Sequence, residues 1–398
     1  MKAKSNRLYF VDAIRAWAIL MMLQGHFVDG LLDPIFRDSS HTGYKIWLYF
    51  RGITAPVFFT VSGFIFTYLL IKVPEKGLKN PRVKKGIKRG LQLLLIGYVL
   101  RMNLFGLLSG HIYESFYIVD VLHCIGLSIL GIVGIYVLTA KQKAVVFPSF
   151  LVLITVILFF FEPQYANLAH TYLPKGIANY FTKINGSVFT IFPWFGYATF
   201  GSFLALLFSK YKNVAFLYPK AISISLISGF LLIFYSSAVL LKIGDISGIS
   251  LFTDVYYNNY LFIRLGDVLV VFAVFMLLRR FMIRPTLLKI GQSTLSIYVI
   301  HFIILYGSLT GIGLYQYLHH SLSPAIVIVG ALLFMIVCTF LSLQYEKKKE
   351  GIHLSIATFF RYLRVQLESI RPVVLRFFKI AYHKVKLLLL RLFRLAKN

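Results

Sequence analysis

Four residues of the N-terminal stretch "VDAIRAWAILMMLQGHFVD" are able to do chemistry: Asp12, Arg15, His26 and Asp29. An α-helix turns about 100° per residue, so Arg15 and His26, eleven apart, differ by only about 20° around the axis. Asp12 lies one turn before Arg15 and Asp29 one turn after His26, so the four share one helical face. The same helix separates the guanidinium from the imidazole by about 16 Å along its length. An imidazole titrates near neutrality and suits proton transfer to and from a reacting group. Everything between the two is apolar, which raises the question of what kind of helix carries them.

The composition answers it. Of 398 residues, 58% are hydrophobic and 14% charged, with a mean hydropathy of +0.77. Soluble domains carry roughly 25% charged residues. The net charge of +28 suits nucleic-acid binding only on a water-exposed basic surface, whereas here the bases flank apolar runs. Nucleic acid is therefore excluded as a partner. Cys124 and Cys338 both sit inside apolar runs and form no disulfide framework. The first apolar run is long and lacks a small-residue cleavage site, so no cleavable signal peptide is expected.

A crossing helix needs about 20 apolar residues. Such runs fall at 9–32, 46–71, 88–109, 117–139, 144–161, 188–208, 220–241, 257–279, 290–312 and 323–344. The fold class predicted is an all-α, polytopic membrane protein of about ten spans. Starting from the basic "MKAKSNR", alternate connections carry Lys and Arg: "IKVPEKGLKNPRVKKGIKR", "KQK", "SKYK" and "RRFMIRPTLLK", and the chain leaves the last span through "EKKKE". The positive-inside rule places all of these, and both termini, in the cytoplasm. Residues 1–345 form the membrane domain. Residues 346–398 form a basic tail of amphipathic helix, split at Pro372, whose partner is a bilayer with anionic headgroups.

An unpaired charge facing lipid costs several kcal/mol, so ionisable groups inside spans face inward and mark functional sites by default. Arg51, Arg101, Asp120, His123 and His301, with Tyr298 one turn before it, all fall at the level of His26. Each has a plainer alternative. Asp12 and Arg15 make a simple i, i+3 ion pair, Asp120 and His123 a mutually bonded pair, and His301 a packing histidine. The cluster Lys84, Lys85, Lys88 and Arg89 is either topology signal or a seat for phosphates.

"DAIRAWAILMMLQGH" resembles the first motif of the acyltransferase family 3 membrane enzymes, an Arg and a His separated by ten residues, with Ala16 standing where Gly is common. "APVFFTVSGFIFTYLL" is similar to that family's second-helix pattern. "RGLQLLLIGYVLR", "DVLHCIGLSIL" and "IFPWFGYATFGSFLA" resemble the related heparan-α-glucosaminide N-acetyltransferase catalytic family, and "IGQSTLSIYVIH" is similar to the last helix of either. The resemblance covers residues 7 to about 345. It implies transfer of an acyl group, acetyl by default, from cytoplasmic acyl-CoA (acetyl-CoA) to a hydroxyl or amine of a carbohydrate or amino sugar across the membrane. The setting implied is a bacterial cytoplasmic membrane, with no metal.

On this resemblance His26 is the catalytic base or acyl carrier, and Arg15 supports the donor. In the heparan-type enzymes the acting histidine lies in the following loop, which brings in His41. Asp29 or Asp120 orients the imidazole, and Arg51 or Arg101 steadies the oxyanion. Tyr298 and His301 complete the substrate site. Lys84, Lys85, Lys88 and Arg89 hold the phosphates of the donor. Buried charges in many spans also fit a secondary transporter or flippase, although no inverted repeat is visible, and oligomeric state is left open.

Overall fold

In the structure, a computed structural model that describes residues 8–395, every regular element is a helix, and one isolated bridge joins Leu32 to Leu322. The basic segment 1–7 lies outside the described residues. Eleven helices carry the argument: α1 (Tyr9–Leu31), α2 (Thr42–Leu70), α3 (Pro81–Arg101), α4 (Val121–Thr139), α5 (Val146–Phe160), α6 (Ile191–Lys210), α7 (Leu217–Ser247), α8 (Tyr260–Leu277), α9 (Pro285–Gln292), α10 (Thr294–Tyr306) and α11 (Pro324–Leu395).

Most of the expected apolar runs centre on one of these helices, whereas the run 290–312 straddles the break between α9 and α10. By length and composition, six helices are apolar and long enough to cross a membrane, or seven if the pair 285–292 and 294–310, bent by 70°, counts as one span. The chain is thus an all-helical integral membrane protein. α1 and α3 stand outside the six because they carry charges along their length, and the 15-residue α5 because it is short. One boundary differs plainly from expectation. The lysine-rich connection does not continue to residue 87: α3 begins at Pro81, where Asn80 accepts from the Arg82 N–H at 2.8 Å and proline occupies the first turn. An Asn cap followed by Pro is a strong helix start.

The core is centred on α1 and its neighbours, with Ile19, Leu23, Phe27, Phe59, Tyr197, Ile297 and Tyr298 buried together. The tightest crossing joins α2 to α6. A Cβ on Gly63 would stand 2.0 Å from the Ala198 carbonyl oxygen, and one on Gly201 would stand 1.9 Å from that of Thr60. Small residues let membrane helices approach this closely, which gives the "SGF" motif of α2 a packing role.

The chain divides into two compact units, Met1–Ser342 and Leu343–Asn398. The second unit is helical through Leu395, and Pro372 does not split it as expected. Within a helix, proline forfeits one backbone hydrogen bond and bends the axis rather than necessarily ending it.

Candidate functional site

Arg15 and His26 both turn toward α10. The Arg15 Nη2 donates to Thr294 Oγ1 at 3.0 Å, and His26 Nδ1 lies 3.0 Å from His301 Nε2. Eleven residues on α1 are thus matched to seven on α10, a rise of about 16 Å against about 10 Å, as expected for inclined helices. At the N-terminal end Arg15 Nη1 is 3.7 Å from Asp12 Oδ1. There α1 meets α9 so closely that a Cβ on Gly291 would fall 2.0 Å from the Asp12 carbonyl oxygen. Arg15 and Asp12 therefore sit at a tight crossing.

His26 has an open side. It lines a cavity of about 350 Å³ together with Asp29, Arg51, Lys183, Phe189 and Trp194. The Arg51 guanidinium closes on Asp29 Oδ2 through Nη2 at 2.5 Å and Nε at 2.6 Å. Trp194 stacks on Phe59 and meets the edge of Phe189, with centroids 5.4 and 4.9 Å away, which makes one wall aromatic. His301 is wholly buried behind His26, with Tyr298, Phe302 and Phe334 rings around it at 4.9, 6.1 and 6.5 Å. Tyr298 thus packs the rear of the site.

A second histidine cluster is built differently. Asp120 caps α4, accepting from the Leu122 N–H, and its carboxylate lies 3.0 Å from His123 Nδ1 and 3.1 Å from Arg101 Nε. Asp120 and His123 are both buried. Arg101 rests 5.8 Å above the Phe302 ring. The three make a structural knot: a helix start, a buried ion pair and a satisfied imidazole nitrogen in one place.

Neither carboxylate expected to orient His26 does so. Asp29 is taken by Arg51 and Asp120 by Arg101 and His123, while His301 holds the His26 Nδ1. His301 was expected to contact substrate but stands behind the cavity. Of the two arginines, Arg51 lines the cavity and Arg101 does not. His41 is exposed at the start of α2 and lines no part of that cavity. Lys84, Lys85 and Lys88 project from the first half of α3 as exposed side chains, and Arg89 donates to Gln92 at 3.3 Å. Among the described residues no cluster of three or more His, Cys, Asp or Glu side chains is gathered for a metal.

Three features escaped the sequence reading. Lys183 comes to the cavity from a loop, which periodicity does not reach. Thr294 is an ordinary polar residue until α10 faces Arg15. The third is a cluster around the buried Asp267, in which Tyr49 donates to Asp267 Oδ1 at 2.6 Å and Arg264 pairs with Asp267 Oδ2 at 2.9 Å. Its signal was present in "IRLGDVLVV", an Arg and an Asp three apart inside an apolar run. The rule that singled out Asp12 and Arg15 applies to it equally.

An imidazole beside an aromatic, partly cationic cavity can take a proton from a hydroxyl or an amine. A cleft of about 1030 Å³ elsewhere offers no such chemistry, being lined by apolar side chains apart from Ser149 and Lys210. The family model "Heparan-alpha-glucosaminide N-acetyltransferase, catalytic" matches residues 7–242, a segment that contains α1 to α6 and the whole cavity. It lends no support to the transporter alternative. A search among curated proteins gives no significant match.

Proposed function

Because the chain belongs to the heparan-α-glucosaminide N-acetyltransferase catalytic family, a family of membrane acetyltransferases, we propose that it moves an acetyl group from cytoplasmic acetyl-CoA to a carbohydrate acceptor across the membrane. The observation that carries the reading is His26: one ring nitrogen is held from behind by His301, and the ring borders the cavity.

In this reading His26 takes a proton from the acceptor as its oxygen or nitrogen attacks the thioester carbon. The tetrahedral intermediate then expels the coenzyme A thiolate, which receives that proton from His26. Arg51, which lines the cavity together with Lys183, steadies the developing oxyanion. The aromatic wall suits the apolar face of a sugar ring. On the donor side, Lys84, Lys85 and Lys88 are exposed and engage no carboxylate among the described residues, so their charges are available to phosphates. Arg15 lies between them and His26 in this scheme. The Lys- and Arg-rich connections support about ten spans, a cytoplasmic location of both termini, and residence in a bacterial cytoplasmic membrane. The basic tail lies on anionic headgroups.

The test is transfer of label from radiolabelled acetyl-CoA to amino-sugar or glycan acceptors by purified protein in nanodiscs. The wild type is expected to transfer, and His26→Ala to lose roughly 100-fold or more. Equal transfer by both proteins contradicts the reading.

A further inference from the structure

The geometry points to His301 as a positioning residue that holds His26 in the one tautomer able to accept a proton from the cavity. This rests on His26 acting as the base.

Between two neutral imidazoles one nitrogen donates and the other accepts, so the 3.0 Å contact between His26 Nδ1 and His301 Nε2 admits two arrangements. In the first, His26 Nδ1–H donates and its Nε2 carries a lone pair. In the second, His301 Nε2–H donates, so His26 carries its proton on Nε2 and accepts nothing there. What decides is the far nitrogen of His301. Its Nδ1 is sealed from solvent and makes no hydrogen bond among the described residues, and the backbone polar groups near the ring are the Ile297 and Tyr298 carbonyls of its own helix. The negative ends of those carbonyl dipoles favour a proton on Nδ1 over a lone pair. His301 Nε2 is then the acceptor and His26 Nδ1 the donor. His26 Nε2, which has no hydrogen-bond partner among the described residues, is left with its lone pair.

When the acceptor's proton reaches His26 Nε2, the imidazolium keeps its Nδ1–H on His301, now as a charge-assisted bond, which is shorter and stronger than a neutral one. His301 itself gains and loses no proton. The surrounding rings of Tyr298, Phe302 and Phe334 offer no rival acceptor in the ring plane and fix the imidazole by packing. The buried carboxylate that serves this purpose in a serine-protease triad is replaced here by an imidazole.

The experiment compares the full chain in nanodiscs as wild type, His301→Leu and His301→Gln. The Gln Oε1 can stand where the His301 Nε2 stood and accept from His26, whereas Leu accepts nothing. We expect kcat to fall about 100-fold in His301→Leu with both KM values little changed, and to recover to within about 10-fold of wild type in His301→Gln. Nitrogen NMR of histidine-labelled wild type is expected to show His26 protonated at Nδ1 and bare at Nε2. A wild-type His26 protonated at Nε2, or a His301→Leu enzyme with full kcat while His26→Ala is dead, overturns the inference. If His26→Ala keeps full activity, the reading of the base fails instead, and the NMR still reports the tautomer independently.

Discussion

His26 and His123 are alike in their bonding and opposite in their surroundings. Each has Nδ1 at 3.0 Å from a buried partner, His301 in one case and Asp120 in the other. His123 has the stronger partner, a carboxylate itself paired with Arg101, yet its ring is wholly buried and borders no cavity described here. His26 has the weaker partner and the open face. The contrast teaches that a well-bonded buried histidine is first of all architecture. What recommends one for chemistry is a nitrogen left over where a substrate can reach it.

The sharpest break between the two is expected on substitution. His26→Ala removes the proposed base but opens little of the core. Transfer should fall by 10² to 10⁴ while the thermal midpoint moves slightly, which activity and melting measurements on one preparation will check. Asp120→Ala should do the reverse. It strands the Arg101 guanidinium and uncaps α4, at a cost of about 3–5 kcal/mol for the broken buried pair. Unfolding in mild denaturant should register this, and the fraction still folded should retain transfer within about 10-fold of wild type. Were Asp120→Ala stable and inactive, the two clusters would have exchanged roles.

Smaller effects sharpen the picture around the cavity. Gly201→Ala places a methyl against the Thr60 carbonyl and should cost about 1–3 kcal/mol as α2 and α6 are pushed apart, visible as a lower melting point. Arg51→Gln removes a half-exposed ion pair whose net worth is about 0–1 kcal/mol, so stability should hold while kcat drops by about 10-fold. Replacing Lys84, Lys85 and Lys88 together by Gln should raise the KM for acetyl-CoA several-fold at low salt, with the difference shrinking as salt is added.

The alignment of Arg15 with His26 was legible because helical period is a local property. So was the family resemblance itself. His301 was visible as an ionisable residue in a span, but its task was not, since that depends on how α10 inclines across α1. For the same reason Asp29 and Asp120 looked like partners for His26: nearness in level along the membrane is readable, and the direction of a side chain is not. Lys183 reaches the cavity from an irregular loop, where spacing carries no geometric information. The Asn80–Pro81 helix start was in plain view and was masked by the lysines around it, which read as loop. Tyr49, Arg264 and Asp267 were missed although an Arg and an Asp three apart in an apolar run were there to be seen.

The account turns on where the thioester meets the protein. A density map of the full chain with bound acetyl-CoA measures this directly. Our reading predicts the acetyl carbonyl in the cavity of Arg51 and Trp194, within about 4 Å of the place an attacking group bonded to His26 Nε2 would occupy. A carbonyl seated instead beside His41 or His123, with His26 remote from it, would contradict the account.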